Sequence, residues 1–185
     1  MTWPRVACWR AVPLALFVVL SVANVGQIQT LVTSVLDSAP PDPRLPVFYF
    51  VLAAAFHVAL CCTFLAAFRS SLVVFGDGGR VDSLRPLVTA LLEAHIPLAI
   101  WAAVALLLLT NTIRLIDTPS AYFGVVSTIY WSRAAGYLAT LLWFASALSS
   151  CSGLSAGRAL AHSLSAAAQM AVVLFVANLV VQIDP

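Results

Sequence analysis

PLVTALLEAHIPLAIWAAVALLLLT, residues 86–110, holds one acidic residue, Glu93, and no basic one. A helix of about 20 apolar residues, rising 1.5 Å each, crosses the roughly 30 Å hydrocarbon core of a bilayer. The run is long enough to do so, and Pro86 suits a first helical turn because it has no N–H to leave unpaired. Its reading as a membrane span decides the fold class, since a soluble protein has little use for such a segment.

Upstream lies the most polar stretch of the chain, from Gly76 to Arg85, with Gly76, Asp77, Gly78 and Gly79 together. Glycine and aspartate at this density make a loop. Before it, residues 46–68 form a second apolar run, which stops at Arg69. The cluster Ala39, Pro40, Pro41, Asp42, Pro43 separates that run from a first one over residues 11–36. Downstream, a fourth apolar segment lies between Pro119 and Ser150. Its 30-odd residues would measure about 45 Å as a helix, longer than the hydrocarbon is thick. The span itself is therefore placed at residues 127–149, with Tyr122 and Phe123 in the interface. A fifth runs over 158–183. The expectation is an all-α, polytopic transmembrane bundle of five spans in a single transmembrane domain. If the first segment is a cleaved signal peptide, with Arg5 and Arg10 ahead of it and Ser21 and Ala23 at the cleavage site, four spans remain. Against cleavage, the apolar run continues beyond Ala23.

Composition agrees. Hydrophobic residues make up 62% of the 185 and charged residues 9%, with a mean hydropathy of +1.02. A soluble domain carries about 25% charged residues, so the partner of this surface is the lipid bilayer. All nine basic residues are arginine, scattered singly, and the net charge is +2. Without a basic run, no nucleic-acid partner is expected. Arginines concentrate on the side that receives the N-terminus: Arg5, Arg10, Arg69, Arg80, Arg85 and Arg158, against Arg44, Arg114 and Arg133. Excess positive charge stays in the cytoplasm, which predicts a cytoplasmic N-terminus and a C-terminus on the opposite side.

An ionisable side chain in hydrocarbon is costly and is a candidate for function by default. Glu93 is the only acid within a span, and Pro97, four residues on, cannot donate to its carbonyl. A kink with a carboxyl group beside it would suit a proton or cation. The plainer reading is a neutral or paired carboxyl near the interface. His57 lies in the middle of the second span, as a buried neutral imidazole bonded to another helix or as a proton relay. His95, two residues from Glu93, points to another face. Arg133 follows Tyr130 and Trp131, the composition of an interfacial anchor. Ser21, Asn24, Gln27 and Ser34 share one face of the first span, and His162, Gln169 and Asn178 lie in the fifth. Such groups commonly hold helices together or line a wet path. Small residues at Gly136, Ser149, Gly153 and Gly157 are candidates for close helix packing.

Cys8, Cys61, Cys62 and Cys151 have neither C-x-x-C nor zinc-ligand spacing, so no metal and no cofactor is expected. The chain carries no G-x-S-x-G, H-E-x-x-H or phosphate-binding loop, so no catalytic residue is assigned. The leading expectation is a structural or regulatory membrane subunit that packs with itself, as a homo-oligomer, or with other membrane subunits. The alternative is an oligomeric channel or transporter for protons or a small solute. Third is a small intramembrane enzyme acting on a lipid-like substrate.

Overall fold

The computed structural model describes residues 3–35, 45–81, 83–112 and 119–183, with side chains over 9–28, 47–48, 50–81, 83–111, 121 and 123–176. Outside the described residues lie the 36–44 and 113–118 connections with Asp37, Asp42, Arg44, Arg114 and Asp117, and also Asp82 and Asp184. The side chains of Arg5, Cys8, Ser34, Tyr122 and Asn178 lie outside them too.

Among the described residues the regular structure is helical throughout. The helices are α1 (Trp3–Val35), α2 (Leu45–Val74), α3 (Leu84–Glu93), α4 (Ile96–Thr112), α5 (Pro119–Cys151) and α6 (Ala156–Ile183), with a 3₁₀ turn at Gly78–Arg80. Five segments are long and apolar enough to cross a membrane: Trp9–Ile28, Phe50–Val74, Leu84–Asn111, Phe123–Cys151 and Ala156–Val176. The protein is an all-α bundle of membrane-spanning helices.

The third segment is two helices. α3 ends at Glu93 and α4 starts at Ile96. Pro97 is the cause, because it brings no N–H to the Glu93 carbonyl and its ring crowds that oxygen. The intervening His95 amide bonds instead to the Leu92 carbonyl at 3.3 Å, a tighter turn, and the Ala99 amide opens the α4 ladder on the His95 carbonyl at 2.9 Å. α5 has no such interruption. It stays helical from Pro119, beyond both ends of the 127–149 span read from the sequence.

The chain divides into two compact units that alternate along the sequence. Unit 1 comprises Met1–His57 and Leu92–Thr140; unit 2 comprises Val58–Leu91 and Leu141–Pro185. In unit 1, α1 packs on α4. Phe17 buries against Leu98, Ala99 and Ala102, and Ala105 and Leu109 pack with Ile129 of α5. Leu98, Ala102, Ala105 and Leu109 recur at helical spacing, and the alanines let the neighbouring backbone approach closely. Asn24 of α1 uses that approach: its Nδ2 donates to the Ala102 carbonyl at 3.0 Å. Unit 2 is built on aromatic rings. Phe144 meets Phe64 and Phe68 edge-on, both with centroids 5.2 Å apart, the arrangement ring quadrupoles favour.

Candidate functional site

Unit 1 holds a cavity of about 570 Å³ that is open on one side. Four helices line it, α1 and α5 mainly along one face each. Ser21, Asn24, Val25 and Ile28 are spaced i, i+3, i+4, i+7 on α1, and Val126, Ile129, Tyr130 and Arg133 repeat that spacing on α5. Ala53 and Phe56 come from α2, and Trp101 from α4. The volume lies within the range of small-molecule sites, which are largely apolar with a few placed polar groups.

The polar groups here are unusual. Among the described residues, three buried side-chain polar atoms have no hydrogen-bond partner: Ser21 Oγ, Asn24 Oδ1 and Arg133 Nε. All three belong to residues lining this one cavity. An unpartnered polar group away from water costs about 1–3 kcal/mol, so proteins rarely leave three together. The Arg133 guanidinium is steadied by ring faces, 5.8 Å from the Trp101 centroid and 5.4 Å from that of Tyr137, and cations favour such positions. Trp101 is itself fixed by its indole N–H, which donates to Ser132 Oγ at 3.0 Å. No carboxylate is paired with Arg133 among the described residues.

Two pairs of polar side chains in unit 1 are matched. Glu93 pairs with Arg10 at 3.1 Å, with both side chains about a third or more exposed. His95 turns to another face, as its spacing from Glu93 requires, and its Nε2 meets His57 Nε2 at 2.8 Å. One ring donates and the other accepts, so the pair is satisfied with both rings neutral. Phe17 covers His57, with ring centroids 4.8 Å apart. Gln27 is half-buried on α1. Gly136 is buried on α5, where an added Cβ would sit 3.4 Å from Leu98 and Trp101, so this glycine does mark a close approach.

Unit 2 holds the opposite arrangement. α2 ends in a Schellman cap: the Asp77 amide bonds to the Leu72 carbonyl at 2.8 Å and the Gly76 amide to the Val73 carbonyl at 3.2 Å. Gly76 adopts φ 76°, a left-handed conformation that costs glycine no Cβ clash. The cap delivers Asp77 into a network. Its Oδ1 accepts from Arg158 Nη1 at 2.7 Å and Arg80 Nε at 3.0 Å, and its Oδ2 accepts from His162 Nε2 at 3.1 Å. With Nε2 donating, His162 Nδ1 is left to accept the Ser71 hydroxyl proton, at 2.8 Å. The His162 hydrogen bond, followed by the charges of Arg158 and Arg80, holds the Asp77 carboxyl below its usual range against the opposing effect of burial. Serine, imidazole and carboxylate thus stand in series, as in a hydrolase triad. Ser71, however, is only 1% exposed and offers its oxygen to no substrate. The series closes the end of α2 onto α6.

Ser149 of α5 bonds its hydroxyl to the Ser146 carbonyl at 2.8 Å. Gly153 and Gly157 are exposed, and an added Cβ at Gly157 would meet nothing within 4 Å. In the sequence Ser21 stands out as part of a polar face and as a possible cleavage-site residue, and Ser71 does not stand out. The polar spacing of α1 was the available signal for the cavity; Ser71, six residues before Asp77, had none.

Five apolar helices define the class: an integral, multi-pass membrane protein in contact with the lipid bilayer. No family model, curated protein or solved structure matches the chain.

Proposed function

We propose that this protein is a membrane-embedded binding protein, with unit 1 holding a lipid-like small molecule within the bundle. One observation carries the reading: the three unpartnered buried polar atoms all belong to residues lining one apolar cavity. In hydrocarbon there is no water to satisfy such groups, so a ligand that does so gains hydrogen bonds without displacing any. A binding protein of this kind serves as a regulatory subunit or as a carrier. It works as a homo-oligomer or with other membrane subunits, for which the exposed Gly157 leaves room for a close helix approach. The arginine asymmetry supports a cytoplasmic N-terminus with the C-terminus opposite.

The binding reading is tested by native mass spectrometry of the chain released from lipid nanodiscs. Wild type should keep one additional small amphiphile per chain. Ala53→Trp, which fills the cavity from α2, should lose it while keeping its helicity. Equal retention by the two proteins would count against the reading.

A further inference from the structure

The chemistry of the three orphan atoms says more than that something binds; resting on the binding reading above, it specifies the ligand's head. We infer that the cavity takes a long-chain carboxylic acid, an amphiphile whose single small acidic head sits at Arg133 and whose apolar body lies along Phe56, Trp101 and Ile129.

Arg133 Nε–H is a donor only, Asn24 Oδ1 an acceptor only, and the Ser21 hydroxyl is either. The Asn24 amide is held in this sense, because its Nδ2 already donates to the Ala102 carbonyl. A head that meets all three must accept hydrogen bonds and also be able to donate one. An alcohol does so, and so does a carboxylic acid in its protonated form; ionised, the acid meets only the two donors, Arg133 and Ser21. Charge separates them. Arginine keeps its proton at any physiological pH, and among the described residues Arg133 faces aromatic rings and no carboxylate. A cation in a low-dielectric surround draws an anion far more strongly than it does a neutral dipole. An alcohol would satisfy the hydrogen bonds and leave the charge uncompensated.

The size of the head follows from the same count. One guanidinium balances one negative charge. A phosphate monoester carries about −1.5 to −2 and three acceptor oxygens, more than one guanidinium and one hydroxyl can serve. A carboxyl group carries one charge on two oxygens: ionised, it takes the Arg133 and Ser21 donors, and protonated, it gives its proton to Asn24. The rest of the lining is apolar, with Val25, Ile28 and Phe56 among it, and suits a hydrocarbon chain.

The test uses the full chain in zwitterionic nanodiscs and a diazirine-bearing fatty acid, with crosslinks mapped to the peptides that hold Val25 and Ile129. Unlabelled stearate and stearyl alcohol then compete. In wild type, stearate should displace the probe at about tenfold lower concentration than the alcohol, the factor of one charge-assisted contact. Arg133→Gln should remove that advantage, and Arg133→Lys, which keeps the charge, should retain part of it. Equal competition by acid and alcohol in wild type overturns the acidic head and leaves the binding reading standing. An advantage that survives in Arg133→Gln overturns the role given to Arg133. Crosslinks that miss these peptides, or that Ala53→Trp leaves unchanged, overturn both. If Arg133→Gln does not fold, the acid-to-alcohol ratio in wild type decides by itself.

Discussion

The two units treat buried polarity in opposite ways. In unit 2, every polar side chain of the central network has a partner: Ser71 on His162, His162 on Asp77, Asp77 on Arg80 and Arg158. In unit 1, Ser21, Asn24 and Arg133 keep atoms with no partner around a cavity. A closed network stabilises and specifies one arrangement, and each member becomes expensive to remove. An open set costs stability until something completes it. Serine and arginine occur in both sets, within a closed network in unit 2 and around an open cavity in unit 1, and satisfaction rather than polarity tells the two apart.

That contrast can be broken by substitution. The largest effect belongs to Asp77→Ala. It strands the buried His162 N–H and leaves two guanidiniums without a shared counter-charge, so the melting temperature in detergent should fall further than for any other change considered below. Protonation should mimic it. The folded carboxyl titrates below the unfolded value of about 3.9. Its stabilisation is therefore fully present above that value and is lost as pH falls through the lower folded value. A wild-type melting curve with no acid limb below about pH 4, or one that Asp77→Ala leaves in place, would show the network to be idle.

Ser71→Ala should come next, destabilising by about 1–3 kcal/mol because the buried His162 Nδ1 loses its donor. Denaturation monitored by fluorescence would measure this, and a cost near zero would mean the imidazole finds another partner.

Glu93→Gln should be milder, at most about 1 kcal/mol, since the Arg10–Glu93 pair is partly exposed and such pairs contribute little. Glutamine retains a hydrogen bond to Arg10. If thermal unfolding instead shows a loss as large as that of Ser71→Ala, the pair is more important than its exposure allows.

Smallest of all should be Ser21→Ala. Removing a hydroxyl that has no partner should leave unfolding unchanged within about 0.5 kcal/mol, or improve it slightly, while weakening retention of the bound amphiphile. A clear loss of stability in ligand-free protein would show that Ser21 is structural and would erase the difference between the units at this position.

Much of the architecture follows from the sequence alone. Five apolar runs imply five spans because hydrocarbon admits only segments whose backbone is satisfied internally, and helices achieve this locally. The break after Glu93 follows from Pro97 by the same local chemistry, and the divergence of Glu93 and His95 to separate faces follows from helical periodicity. The extent of α5 does not. Hydropathy marks where lipid lies, but a helix continues as long as nothing breaks it, and nothing does between Pro119 and Ser127. The partners are likewise the work of tertiary structure. Glu93 was a candidate for its charge and was matched by Arg10 from a helix some 80 residues away, while Ser71, His162 and Asp77 came together across 85 residues and more. Arg133 has the local composition of an interfacial anchor, and only the arrangement of α1, α2, α4 and α5 makes it line the same cavity as Ser21 and Asn24. Local rules decide what a residue needs; whether the need is met depends on groups distant in sequence, and packing alone brings those near.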